Sequence, residues 1–74
     1  MRKVELLSEV TGSVWKVLVQ PGQSVEEDEP ILLIESMKME IPVVATESGV
    51  IQLILAQEGE AVAEGDVVAV IGAP

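Results

Sequence analysis

The stretch 31-ILLIESMKMEIPVV-44 contains two short runs typical of β-strands, ILLIES and MEIPVV, separated only by Met37 and Lys38. Two-residue hairpin loops favour positive φ at both central residues, so they usually carry Asn-Gly or Asp-Gly. A left-handed backbone costs a residue other than glycine roughly 1–2 kcal/mol. Local propensity therefore opposes the turn that the strand pattern requires, and such a conflict is expected at functional sites. We predict a β-hairpin that presents Lys38 at its tip between Met37 and Met39.

The two halves of the chain share one pattern when the sequence is shifted by 37 residues, so that Gly12 falls on Gly49. The repeat predicts two similar supersecondary units related by a pseudo-twofold axis. The equivalent of Lys38 would be position 75, one past the last residue, so the hairpin and the chain ends are expected at opposite poles. The shared positions are Gly12/Gly49, Val14/Ile51, Val17/Ile54, Val19/Ala56, Gly22/Gly59 and Val25/Val62.

Each half also contains a longer strand whose apolar positions change parity. In GSVWKVLVQ the change falls between Val14 and Val17, and in GVIQLILAQ it falls between Ile51 and Ile54. Side chains alternate with period two along a strand, so a flat strand cannot place both members of a pair on one face. We therefore predict a bulge or sharp bend in each of these strands.

The connections between the predicted strands contain turn residues and charge. Pro21-Gly22 and Glu58-Gly59 predict turns in which glycine adopts positive φ. The acidic run EEDE at residues 26–29 is interpreted as a solvated loop between strands. No segment has a convincing helical period, so the expected fold is all-β.

Composition restricts the chemistry that this chain performs. Its 74 residues allow one domain, 1–74, and 49% of them are hydrophobic, with Trp15 as the single aromatic residue. The chain has no cysteine and no histidine. Ser-His and Cys-His nucleophilic catalysis are therefore excluded, and the commonest metal ligands are missing. We expect a protein that is not an enzyme in its own right.

The charge balance predicts the kind of partner and the compartment. The formal net charge is -9, so nucleic acid should be repelled. No apolar window approaches the length of a membrane-spanning helix, and MRKVELLSEV at the N-terminus lacks the long apolar region of a signal peptide. We expect a cytoplasmic protein that is a monomer when isolated and does not bind a membrane.

Met37-Lys38-Met39, preceded by Glu35, resembles the attachment motif of the biotinyl and lipoyl attachment domains, in which the lysine between two methionines carries biotin. The resemblance covers essentially the whole chain, because two glycine-framed halves enclose the lysine. It implies a flattened β-barrel or sandwich of two four-stranded antiparallel sheets, with internal pseudo-twofold symmetry and Lys38 on a protruding hairpin.

The same resemblance implies a function and a set of partners. A biotin protein ligase would attach biotin covalently to Lys38, and the arm would carry a carboxyl group from a biotin carboxylase to a carboxyltransferase. Met37, Met39, Glu35 and Glu40 are the residues that the ligase and these partners are expected to recognise. The cofactor supplies the chemistry in such a system, and the protein presents it.

The chain departs from the family pattern at three places. Asp28 stands where family members often have glycine, although its repeat equivalent is Gly65. Asp tolerates left-handed conformations, so the turn is expected to survive. Ser36 replaces a more common alanine, with little expected consequence. The first half has no inserted loop, so the protruding thumb of some acetyl-CoA carboxylase carriers is absent.

Two other functions remain open from the residues alone. A lipoyl carrier would share the fold and modify the same lysine, although lipoyl domains usually lack methionine on both sides of it, and lipoate on Lys38 is the alternative to biotin. A binding or assembly module with an unmodified lysine, like the similar domain of membrane fusion proteins, normally has a long helical insertion at the tip. This chain has none.

Overall fold

The computed structural model describes residues 2–74, and within them every regular element is a β-strand. No helix among these residues is long and apolar enough to cross a membrane. The strands follow the two halves of the sequence repeat in chain order. They are β1 (Arg2–Leu7), β2 (Gly12–Val17), β3 (Ser24–Val25), β4 (Pro30–Ser36), β5 (Met39–Val44), β6 (Gly49–Ile54), β7 (Ala61–Val62) and β8 (Val67–Ala73).

The strands form two four-stranded antiparallel sheets, which confirms the predicted fold class. One sheet has the order β1-β8-β6-β3 and the other has the order β5-β4-β2-β7. A shift of 37 residues converts the second sheet into the first, because β2, β4 and β5 become equivalent to β6, β8 and β1 with identical bounds. Each half of the chain therefore supplies strands to both sheets, and the two halves are interleaved rather than separate.

The predicted bulges are present at equivalent positions of the two halves. The pairing of β2 with β4 shifts between Val14 and Lys16, and the pairing of β6 with β8 shifts between Ile51 and Leu53. An extra residue in one strand rotates the following side chains onto the other face. Val14 and Ile51 are consequently buried, and the residues three positions further on also pack against the core.

The core between the sheets consists of aliphatic side chains from both halves. Ile34 and its equivalent Ile71 are fully buried, as are Ile31 and Val68, which belong to the same two strands. Gly12 and Gly49 allow neighbouring strands of one sheet to approach closely, because a Cβ at Gly12 would overlap the Glu35 carbonyl oxygen of β4 and a Cβ at Gly49 would overlap the Gly72 carbonyl oxygen of β8. The molecule is elongated, with extents of 36 × 18 × 18 Å. The pseudo-twofold relation therefore places the β4–β5 turn at one end and the paired chain ends at the other.

The connecting turns have the conformations that their residues predict. Gly22 and Gly59 have φ of 91° and 90°. Asp28 has φ of 70°, and its equivalent Gly65 has φ of 92°. The Asp28 amide donates to the Ala45 carbonyl at 2.7 Å, so the turn is retained with an aspartate in the left-handed position.

Replacement of Asp28 by glycine should stabilise the domain. Glycine adopts positive φ without the steric cost that a Cβ imposes, so we expect a gain of about 1 kcal/mol in the free energy of unfolding. Chemical denaturation of the two proteins measures it. The reciprocal change, Gly65→Asp, is the matched control and should destabilise by a similar amount. If Asp28→Gly and Gly65→Asp changed the free energy of unfolding by the same amount in the same direction, this account would be contradicted.

Candidate functional site

The hairpin that joins β4 to β5 has the strained two-residue turn predicted from the sequence. Ser36 pairs with Met39 at the base of the turn, and Met37 and Lys38 are the two residues between them. Met37 has φ of 52° and Lys38 has φ of 65°, so both occupy the left-handed region, as two-residue hairpin turns require. Neither residue is of the type that lowers the cost of this conformation, roughly 1–2 kcal/mol each.

The methionines that flank Lys38 are not core residues. Met37 is 92% exposed and Met39 is 63% exposed, and Lys38 between them is exposed as well. Methionine is flexible and polarisable, so it adapts to different contact surfaces. The turn therefore presents a primary amine framed by two largely exposed apolar side chains.

Glu35 and Glu40 lie directly opposite each other on β4 and β5, and both are exposed. Like charges at directly opposite positions of a sheet are destabilising. The equivalent pair in the other half is Lys3 with Gly72, which carries no such repulsion. The fold therefore does not require two carboxylates at these positions.

The base of the hairpin is fixed by contacts that sequence reasoning missed. The Ser36 hydroxyl donates to the Thr11 carbonyl oxygen at 2.9 Å, and the Glu64 amide donates to the Thr11 hydroxyl at 3.1 Å. Side chains alternate along a strand, so Ser36 lies on the same inward face of β4 as the buried Ile34. A serine at an inward position could have indicated from the sequence that its hydroxyl forms a hydrogen bond. The expectation that serine here has little consequence overlooked this bond.

The arrangement suits attachment of a group at Lys38. Within residues 2–74 no set of three or more acidic, histidine or cysteine side chains is placed to hold a metal ion. A long acyl group on the exposed amine would extend into solvent beyond the turn and would displace no packed side chain. A small two-sheet β domain with an exposed amine on a tethered hairpin defines the class of carrier domains that bear a covalent prosthetic group.

Comparison with known proteins identifies the family. The family model described as "Biotin-requiring enzyme" matches residues 5–71, nearly the whole chain. The chain therefore belongs to the biotin/lipoyl attachment family, whose members act as non-catalytic carrier domains.

Two curated relatives are similar over most of their own length. The biotin/lipoyl attachment protein of Bacillus subtilis (strain 168) is 44% identical over 59 residues, which are 80% of this chain and 81% of the relative. A biotinylated protein TB7.3 homolog of Mycobacterium leprae is 36% identical over 67 residues, 90% of this chain and 94% of the relative. The first name includes both biotin and lipoyl, and the second refers to biotin alone.

A solved structure has the same fold. The crystal structure of the Kluyveromyces lactis urea carboxylase matches with a TM-score of 0.92 and 42% identity, over 97% of this chain and 6% of the longer protein. In that protein the matching region is one small part of a much longer chain.

The strain in the turn leads to a testable trade-off. Replacement of Met37 by asparagine should stabilise the domain by about 1 kcal/mol, because asparagine tolerates the left-handed region. The same change removes an exposed apolar side chain beside Lys38, so a biotin protein ligase should label the variant more slowly. Thermal unfolding and the labelling rate, measured on the same samples, test both parts. A variant that is more stable and is labelled as fast as the parent would show that Met37 has no part in recognition.

Proposed function

We propose that this chain is a biotin carboxyl carrier domain and that Lys38 is the residue that bears biotin. The observation that carries the proposal is the exposed Lys38 in a two-residue turn with positive φ, between two exposed methionines. Membership of the biotin/lipoyl attachment family supports it, as does the similarity to a region of a urea carboxylase.

The attachment step requires an accessible amine and little else from this chain. The neutral Lys38 amine attacks the acyl carbon of biotinyl-AMP, an amide C–N bond forms, and the C–O bond to phosphate breaks so that AMP leaves. A lysine side chain ordinarily carries a proton at neutral pH, so a group of the biotin protein ligase must remove it before the attack. The strained turn holds the amine clear of the sheet, and the extended hairpin lets the ligase enclose it.

The side chains around Lys38 provide the recognition surface in this proposal. Met37 and Met39 offer apolar contacts that adapt to the ligase and then to other enzymes. Glu35 and Glu40 add negative charge that attracts basic surfaces and speeds encounter at low ionic strength. The hydrogen bond from Ser36 to Thr11 keeps the base of the hairpin in one position, so the tip is presented in a constant orientation.

The partners follow from the chemistry of the attached group. When bound, biotin supplies a ureido nitrogen that accepts a carboxyl group from bicarbonate with ATP. The domain would deliver this group from a biotin carboxylase to a carboxyltransferase. For that purpose Lys38 must reach two active sites in turn, and a hairpin at one end of an elongated domain permits this.

Lipoate on the same lysine is the second candidate, because the 44% identical Bacillus subtilis relative is called a biotin/lipoyl attachment protein. The hairpin of this chain would accept either acyl group. Parallel expression with a biotin protein ligase or with a lipoate protein ligase distinguishes them. The methionines on both sides of Lys38 lead us to expect biotin in preference to lipoate.

The carrier role is tested with the biotinylated protein and a purified bacterial biotin carboxylase. With ATP and ¹⁴C-bicarbonate, radioactivity should become attached to the modified domain and should be absent from the unmodified domain. The Lys38→Arg variant, taken through the same ligase treatment, is the control. A fully biotinylated domain that gains no label with several such carboxylases would count against the carrier role while leaving the attachment site intact.

A further inference from the structure

The sulfur atoms of this chain are concentrated beside Lys38. The chain has three methionines and no cysteine, and two of the methionines are Met37 and Met39. The third, Met1, lies outside the described residues. The buried hydrophobic residues of the range 2–74 are all leucine, isoleucine, valine or alanine. Oxidation of sulfur in this part of the chain therefore falls on the attachment hairpin and on no core position.

Both thioethers of the hairpin are open to a small oxidant in solution. Met37 is 92% exposed and Met39 is 63% exposed. A thioether reacts only where an oxidant can reach the sulfur, so exposed methionines are oxidised before buried ones. The equivalent positions in the other half are Pro74 and Arg2, so the repeated fold does not require a thioether at either place.

The oxidants that suit these sulfurs are peroxides, which transfer one oxygen atom with two electrons. The thioether sulfur attacks one oxygen of hydrogen peroxide, an S–O bond forms, and the O–O bond breaks. The second oxygen leaves as water after it takes up the remaining protons. Methionine is oxidised to the sulfoxide and the peroxide is reduced, with no other reactant. Methionine sulfoxide reductases reverse the change, with one enzyme for each epimer of the sulfoxide.

Oxidation changes the surface around Lys38 and leaves the Lys38 amine as it is. A thioether is apolar, whereas a sulfoxide is polar and its oxygen accepts hydrogen bonds. A partner site that receives Met37 or Met39 as an apolar side chain would have to bury this oxygen without a donor. Such burial weakens an interaction by about tenfold or more. The loss therefore falls on recognition of the hairpin and not on the acyl acceptor.

We propose that Met37 and Met39 form a site of reversible oxidation by peroxides, which turns off recognition of Lys38 while the domain stays folded. The inference rests on the proposed function, because its consequence is read in the attachment of biotin to Lys38. The domain survives the oxidation because both side chains project from the turn and neither belongs to the buried core. The reductases would then return the same molecule to use.

The test treats the unmodified protein with hydrogen peroxide and removes the excess with catalase before a biotin protein ligase is added. Peptide mapping should locate one added oxygen on Met37 and one on Met39. The value of kcat/KM for labelling of Lys38 should fall by about tenfold or more. The unfolding midpoint should change by less than about 4 °C. Treatment with both classes of methionine sulfoxide reductase should restore the labelling rate.

The matched control is the double variant Met37→Leu/Met39→Leu, which keeps apolar side chains beside Lys38 without sulfur. It retains Met1 and the half-exposed Trp15, the other side chains that an oxidant can alter. The ratio of its labelling rates after and before peroxide should be one, whatever its starting rate. A fall in this ratio equal to that of the parent would assign the effect to Met1 or Trp15 and overturn the inference.

The remaining outcomes separate this inference from the proposed function. Oxygen on both hairpin methionines with an unchanged kcat/KM would overturn the inference and leave the carrier role standing. A loss of labelling that accompanies unfolding, or that the reductases do not reverse, would overturn it as well. Untreated protein that gains no biotin on Lys38 would overturn the proposed function and the inference that rests on it.

Discussion

Replacement of Lys38 by arginine is expected to abolish attachment of biotin and to leave the fold intact. The guanidinium keeps the positive charge but remains protonated at any accessible pH, so it cannot act as the acyl acceptor. Lys38 is exposed and packs against nothing in the core, so its replacement should change the free energy of unfolding by less than about 0.5 kcal/mol. Intact mass after treatment with a biotin protein ligase measures the first effect, and thermal unfolding measures the second.

The matched control for this prediction is Lys16→Arg. Lys16 is also exposed, but it lies in β2, where the hairpin geometry is absent. This variant should gain biotin as fast as the parent. Labelling of Lys38→Arg at Lys3 or Lys16 would show that the ligase does not depend on the turn, and the assignment of the site would then be wrong.

Replacement of Gly12 by alanine is expected to cause a large loss of stability for the addition of a single methyl group. The added Cβ would overlap the carbonyl oxygen of Glu35 and would lie 3.0 Å from Cγ2 of Ile34. The obstructing oxygen belongs to the backbone of a central strand, so it cannot move aside as a side chain end could. We expect a cost of about 3 kcal/mol, at the upper end for overpacked cores. The unfolding midpoint should fall by roughly 10–20 °C.

Two other glycines provide controls for the Gly12 prediction, and one of them, Gly49, is its equivalent in the internal repeat. Gly49→Ala should be equally damaging, because its Cβ would meet the backbone oxygen of Gly72 in the same way. Gly22 has φ of 91° with no atom within 4 Å of an added Cβ, so Gly22→Ala should cost only about 1 kcal/mol through backbone strain. Three variants of equal stability would mean that the fold does not require the close approach of neighbouring strands at Gly12 and Gly49.

Much of the fold could be predicted because this chain repeats its own pattern. The parity change between Val14 and Val17 required a bulge, and the pairing of β2 with β4 shifts there. Only two residues separate ILLIES from MEIPVV, so a two-residue turn was required. Met37 and Lys38 form this turn with positive φ. In these cases the constraint is local, since side-chain alternation and turn length are properties of adjacent residues.

The remaining features depend on contacts between distant residues, which local patterns do not reveal. The halves exchange strands between sheets, so β3 pairs with β6 and β2 pairs with β7. The bond from Ser36 to Thr11 joins residues that are distant in sequence. Comparison of equivalent positions does single out Glu35 and Glu40, because the pair Lys3 and Gly72 in the other half carries no charge repulsion.

The most direct test of the central claim is mass spectrometry of the intact protein after co-expression with a biotin protein ligase, with and without added biotin, followed by peptide mapping. The account predicts a mass gain of one biotin less one water, located on the peptide that contains Lys38 and dependent on added biotin. A protein that gains no mass, or gains it on another lysine, would contradict the account. A gain of lipoyl mass alone would retain Lys38 as the site and replace the carboxyl carrier by a lipoyl carrier.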